Sequence, residues 1–240
     1  MSAGGVGVAS VRKSGGFMIP RRILRCYRSA YLLTPAMVEN GRRLEAMHPG
    51  WEHCFWNHVE ARRWVAETMP EWLECYDFYP LDRQREQMFR WLVLWRLGGV
   101  WLSAEMRPLE TFEGMGDGGL VLAVEGRMTV EGFERRQRVR WVAGMPEGAL
   151  DWIGDVAVAA VPGHWFAERV LGLMVERAGM LDTGGEPDQE DESWATGSGV
   201  VNAAWLACLR EGLPVGEAVL AGEGEGRFGR YAYRYGEMNG

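Results

Sequence analysis

What this chain lacks narrows it first. No run of residues is apolar for long enough to cross a bilayer as a helix. Positive charge is not in excess. Lys and Arg number 26 against 33 Asp and Glu, and the net charge of −7 argues against a nucleic-acid surface, transfer RNA included. Cysteine is scarce: the four present, Cys26, Cys54, Cys75 and Cys208, stand far apart with no CxxC pair. Neither a disulfide framework nor a zinc ribbon is signalled. Residues 1–18 are rich in Gly, Ser and Ala without a continuous apolar segment, which reads as a disordered lead and not as a signal peptide. There is no internal repeat. The expectation is a soluble, cytoplasmic protein, with the secretory pathway open if an N-terminal anchor has been lost.

What is present is a globular composition, 47% hydrophobic and 25% charged, enough for one α/β domain over residues 19–240. Its organising stretch runs from Arg83 to Pro108. Met88, Phe89, Trp91, Leu92, Val93, Leu94, Trp95 and Leu97 make a helix from Arg83 to Leu97 apolar nearly all round, which predicts burial. The remaining polarity, Arg83, Glu86, Gln87 and Arg90, falls on one stripe at three- and four-residue spacing and should face a cavity or partner groups. Gly98 and Gly99 stop the helix, Val100 to Leu102 read as a short buried strand, and Ser103 and Glu105 follow at its end. That order is how many α/β sheets build a binding crevice.

Around this stretch, residues 19–27 read as a first strand, and Thr34-Pro35 as the N-cap and first turn of a helix ending near Met47. Residues 51–57 read as a strand, and 59–79 as helices broken at Pro70. The glycine-rich residues 114–119 read as a turn ahead of a strand, and 126–142, with five arginines, as a solvated helix or a mobile lid. A strand and a helix joined by Pro162-Gly163-His164 follow, with His164 expected to contact the helix N-terminus. Residues 182–192 are acidic and turn-rich, a flexible loop by composition, and Thr196-Gly197-Ser198 opens a last helix. His48, His53, Cys54 and His58 have spacings that suit no zinc motif.

The segment Arg85, Arg90, Trp91, Val93-Leu94, Gly98, Gly99, Val100 and Trp101 resembles, in register, the central motif of glycosyltransferase family 32. These are DXD-motif sugar transferases related to the fungal initiation-specific mannosyltransferases. Their motif reads roughly R-x-D-x-x-R-Y-x-x-L-x-x-x-G-G-x-Y-x-D-x-D. This chain departs at the charged positions: Gln87 stands for the first Asp, Ser103 and Glu105 for the DXD pair. The resemblance extends to Ile19 to Tyr27, to Trp51 to Asn57 and to the Pro162-Gly163-His164 block, where Asp155 stands in place of the usual Asn. It implies a GT-A-like nucleotide-sugar-binding fold, a mixed central sheet flanked by helices. It also implies a donor site of Arg90, Arg85, Gln87, Trp56, Asn57, Ser103, Glu105 and Gly99. Trp56 is equally explained by core packing. Arg25 is open between a pocket role and a solvated edge. Asp155 is a candidate for acceptor binding or general base, or a cap for local amides.

The implied partners are a nucleotide-sugar donor and an unidentified acceptor. The implied cofactor is Mn or Mg, with Glu105 as the surviving ligand, unless arginines neutralise the leaving group without metal. Three readings follow: a hexosyltransferase with a degenerate metal site, an inactive binding protein on the same scaffold, or the scaffold repurposed for joining amino acids.

Overall fold

Proline, glycine and threonine set the element boundaries. The structure is a computed structural model that describes residues 18–115, 119–137, 150–181, 189–211, 213, 218–221, 227–228 and 232–234. Strand β1 (Arg22–Tyr27) leads to α1 (Pro35–Met47), whose N-cap Thr34 accepts a hydrogen bond from the Met37 amide at 3.3 Å. Then come β2 (Glu52–Asn57), α2 (His58–Thr68), α3 (Leu73–Phe78), the central helix α4 (Asp82–Leu97) and β3 (Gly99–Leu102). The second half contributes β4 (Met106–Pro108), β5 (Leu120–Met128), α5 (Val130–Gln137), β6 (Leu150–Ala160) and α6 (Trp165–Ala178). It ends with α7 (Gln189–Ala195), α8 (Ser198–Glu211), β7 (Ala218–Ala221), β8 (Arg227–Phe228) and β9 (Ala232–Arg234).

The main sheet has the order β2-β1-β3-β6-β5-β7. β1 runs parallel to β2 and β3, β6 runs antiparallel to both β3 and β5, and β7 runs parallel to β5. The sheet is mixed, as the resemblance implies, and both faces are covered. On one face Leu24, Cys26, Trp101, Leu122 and Val158 pack with helices α2, α3, α4, α6 and α8. On the other, Ile23, Val100, Leu102, Val121 and Ala159 pack with Leu44 of α1, Phe112 and the small β4-β9-β8 sheet. Alternate residues of each strand serve alternate faces, as the pleat requires.

The middle of the central helix is fully buried. Met88, Phe89, Trp91, Leu92, Val93 and Leu94 are all 0% exposed. At about 1.5–3 kcal/mol per large apolar side chain, their burial is on the order of a whole domain's net stability, so the helix cannot rotate without unfolding. Gly98, at φ +63°, ends it and donates to the Leu94 carbonyl at 2.8 Å; a Cβ there would lie 2.5 Å from Pro162 Cδ. Gly99, at φ +122°, lets β3 approach β1: its Cβ would stand 2.7 Å from the Arg22 carbonyl oxygen.

Two expectations are corrected. The acidic stretch 182–192 is not loop throughout, because Gln189 onward is helical in α7. That helix is tied down by Arg177, which donates to the Trp194 carbonyl and lies 4.8 Å over the Trp194 ring. The basic stretch 126–142 is not a solvated helix either. The Phe133 ring of α5 is buried 5.3 Å from Trp152, and buried Gln137 donates to the Gly199 carbonyl at 2.7 Å. Residues 1–17 of the lead, 116–118 of the glycine-rich turn, 138–142 of the basic stretch and 182–188 of the acidic stretch lie outside the described residues.

Candidate functional site

The parallel strands β2, β1 and β3 lie side by side, and their carboxyl ends open onto one cavity of about 420 Å³. The residue after each strand lines it: Arg28 after β1, His58 after β2, Ser103 and Glu105 after β3. Side chains past the carboxyl ends of parallel strands have no further sheet to pack on, and there α/β proteins place ligands. Helix α4 forms the facing wall with Asp82 and its whole polar stripe, Arg83, Glu86, Gln87 and Arg90. Tyr27, Leu32, Trp101, Asp155 and Val156 complete the lining. The volume is that of a small-molecule site.

The charges within are mixed and mostly paired. His58 sits between two carboxylates, Nε2 at 3.3 Å from Glu86 and Nδ1 at 3.6 Å from Asp82. Asp82 also accepts from Arg85 at 2.5 Å, which holds its carboxyl below the usual range. Arg83 pairs with Glu192 at 2.8 Å, and burial pushes the Glu192 carboxyl above its ordinary value. Gln87 is the hub. Its Nε2 donates to Asp155 Oδ2 at 3.1 Å and to Glu192 Oε1 at 3.2 Å, while its Oε1 accepts from the buried Thr196 hydroxyl at 2.5 Å. Two carboxylates on one side and a hydroxyl donor on the other fix the orientation of the amide.

Arg90 is the least satisfied group. It is only 4% exposed, its Nη2 lies 3.8 Å from Asp155 Oδ2, and neither Nε nor Nη2 has a hydrogen-bond partner among the described residues. Burial lowers its pKa, opposed chiefly by Asp155 and Glu86. A buried guanidinium with N–H groups left without acceptors is costly, and this one lines the cavity.

Of the residues the resemblance implies, Arg90, Gln87, Ser103 and Glu105 meet in the cavity, and Asp155 meets them from β6. Asp155 is not at a strand end but inside β6. The others lie outside the lining. Arg85 is spent on Asp82 and on the Tyr79 carbonyl at 2.9 Å. Trp56 packs its ring 5.3 Å from Phe89 and 6.5 Å from Trp64. Asn57 caps α2, its Oδ1 accepting from the Glu60 amide at 2.9 Å while Glu60 accepts from the Asn57 amide at 2.9 Å. Gly99 serves the β1–β3 approach. Arg25 lies 5.6 Å over the Phe55 ring and against Gly41, so it too is structural. His164 is the α6 N-cap as expected, its Nδ1 accepting from the Phe166 amide at 3.2 Å.

Sequence reasoning did not select Arg28, His58, Asp82 or Glu192 for the site. For Arg28 and His58 the available signal was position, one residue beyond a strand. For Glu192 there was none, since its place depends on α7 folding back onto Gln87. Among the described residues no group of three His, Cys, Asp or Glu side chains is placed to hold a metal ion. Ser103 offers a neutral hydroxyl that accepts from the Glu105 amide at 3.4 Å. With a single carboxylate at that position, the described donor set does not fit a divalent cation.

No protein-family model matches the chain. Over 60 residues it is 30% identical to inositol phosphoceramide mannosyltransferase 3 of Schizosaccharomyces pombe, covering 25% of this chain and 17% of that protein. Over 106 residues it is 31% identical to phosphatidylglycerol–prolipoprotein diacylglyceryl transferase of Rhodococcus jostii, covering 38% of this chain and 29% of that protein. The chain thus spans under a third of either relative. In three dimensions it resembles the PaToxG glycosyltransferase with a TM-score of 0.52 at 11% identity, over 82% of this chain and 71% of that one. The two relatives' names point to different transfers. The fold is that of the GT-A glycosyltransferases, with local sequence likeness to a fungal mannosyltransferase. No helix among the described residues is long and apolar enough to cross a membrane.

Proposed function

We propose that the chain is a glycosyltransferase that takes a hexose from a nucleotide sugar and passes it to an acceptor hydroxyl. The observation that supports it most is the convergence of the α4 polar stripe with the residues past β1, β2 and β3 on one cavity. Interleaved carboxylates and guanidinium groups, each already part-neutralised, suit a polyhydroxylated ligand that both donates and accepts. A uniformly basic funnel would suit a polyanion instead.

In this reading the buried Arg90 donates from Nε and Nη2 to oxygens of the donor, the strongest class of hydrogen bond available here. Arg83 and Arg28 stand toward the same space and offset charge on a departing diphosphate. Ser103 and Glu105 hold the sugar side. No step is routed through a metal.

The test is a thermal-shift screen with a panel of nucleotide hexoses, with and without manganese, followed by measurement of nucleotide release. A ligand at a hundredfold its Kd stabilises the native state by about 2.7 kcal/mol, which is readily seen. The expected result is a shift with at least one nucleotide hexose, and turnover that is lost in Glu105→Ala while the variant stays folded. No shift with any of them removes the donor-binding reading. Binding without release of nucleotide leaves a binding protein in place of an enzyme.

A further inference from the structure

Strand β6 is broken in its middle, and its partner β5 carries a second irregularity alongside, between Val124 and Gly126. Ala157 to Ala160 pair with β3, and Leu150 to Ile153 pair with β5. Between them the β5 register jumps from Leu122↔Val158 to Val124↔Ile153, so Gly154 to Ala157 stand opposite Ala123 alone. Such a bulge gives up ladder hydrogen bonds, and beside a cavity it re-aims a side chain. This one is held on both flanks. The Ser103 amide donates to the Val156 carbonyl at 2.9 Å. Asn202 of α8 clamps Ile153, accepting from its amide at 2.9 Å and donating to its carbonyl at 2.7 Å. The Glu125 side chain fills the space where Gly154 has no Cβ.

The residue the bulge delivers to the cavity is Asp155. Its side chain is 14% exposed, and its Oδ2 is held by Gln87 Nε2 at 3.1 Å with Arg90 Nη2 at 3.8 Å. Gln87 itself is fully used by Asp155, Glu192 and Thr196, so its amide has no proton left for a ligand. A neutral amide also allows Asp155 and Glu192 to share one neighbour, where a third carboxylate would repel both. In the motif this chain resembles, the α4 position carries the acid and the β6 position the amide. Here the two are exchanged, and they touch.

We infer that Asp155, presented by the β6 bulge, is the carboxylate that accepts a hydrogen bond from a hydroxyl of the bound sugar. Gln87 is the positioning residue that orients it. Side by side, a carboxylate and a guanidinium with two unpartnered nitrogens match two neighbouring hydroxyls, one donating to Asp155 and one accepting from Arg90. The inference rests on the transferase reading and adds which residue reads the sugar.

The test compares the affinity of the full chain for a nucleotide hexose with its affinity for the same nucleoside diphosphate without sugar. The proteins are wild type, Asp155→Asn and Gln87→Leu. Asp155→Asn should lose about tenfold or more in affinity for the nucleotide hexose, the size expected for a hydrogen bond to a charged group, with little change for the bare nucleotide. Gln87→Leu, which leaves Asp155 without its orienting amide, should show a smaller loss with the same selectivity for the sugar. A merely structural role for Asp155 would weaken both ligands together. Should Asp155→Asn fail to fold, Asp155→Ser reads the same pair of affinities. Unchanged nucleotide-hexose binding in Asp155→Asn, or a Gln87→Leu variant that weakens both ligands equally, overturns this inference alone. A wild-type chain that binds no nucleotide hexose sinks it together with the transferase reading.

Discussion

Arg90→Met keeps the length of the stem and removes the charge, and the structure gives the size of each consequence. At 3.8 Å, the attraction between Arg90 and Asp155 is about 4 kcal/mol at an effective dielectric of about 20. Against it stand Nε and Nη2, buried and unpartnered, each costing about 1–3 kcal/mol of unrecovered hydration. The two sums nearly cancel. Asp155 keeps its hydrogen bond from Gln87 at 3.1 Å after the substitution, so it is not abandoned in the interior. The ligand-free variant should therefore change in stability by less than about 2 kcal/mol, well under the 3–5 kcal/mol typical of breaking a buried ion pair. Ligand affinity behaves differently. Losing charge-assisted bonds worth about 1.5–3 kcal/mol should weaken a nucleotide hexose by about 10- to 100-fold. Urea unfolding without ligand, paired with calorimetric titration, measures both numbers on one protein. A loss above about 4 kcal/mol in ligand-free stability, or an unchanged affinity, would refute the account of Arg90 as a group held in reserve for substrate.

Asn57→Ala removes one half of the α2 capping box and should cost about 1 kcal/mol in a melting experiment, with nucleotide-hexose affinity unaltered. A drop in affinity with stability preserved would return Asn57 to the donor site. Stability should also fall in acid through His164, whose pKa is pushed down to about 4 by burial. Because the folded value lies below the ordinary 6.5, the unfolded chain binds the proton more readily. The contribution, about 3 kcal/mol, is complete above pH 6.5 and is lost as pH falls through 4. His48, also lowered by burial, acts in the same sense. His164→Asn keeps a capping side chain and should flatten the acid limb of stability between pH 6.5 and 4; a limb as steep as wild type would place the effect elsewhere.

Local pattern alone was enough to read α4, its Gly-Gly stop, β3 behind it and the cap at Thr34-Pro35, because each depends on residues within a turn or two. It also turned Gln87 and Arg90 toward a cavity, since a single polar stripe on an otherwise buried helix has nowhere else to face, and put Ser103 and Glu105 just past the end of β3. The three-dimensional arrangement decided the rest. Whether Asn57 and Arg85 serve a ligand or a helix end depends on which amide or carboxylate lies within 3 Å, and those neighbours are set by packing. The sheet order brings Arg28 and His58 to the mouth that Ser103 and Glu105 share. The meeting of Gln87 with Asp155 and Glu192, across 68 and 105 residues, needed a bulge in β6 and the return of α7. Hydrophobic periodicity carries no record of such contacts, because they are made by the few side chains that the core does not claim.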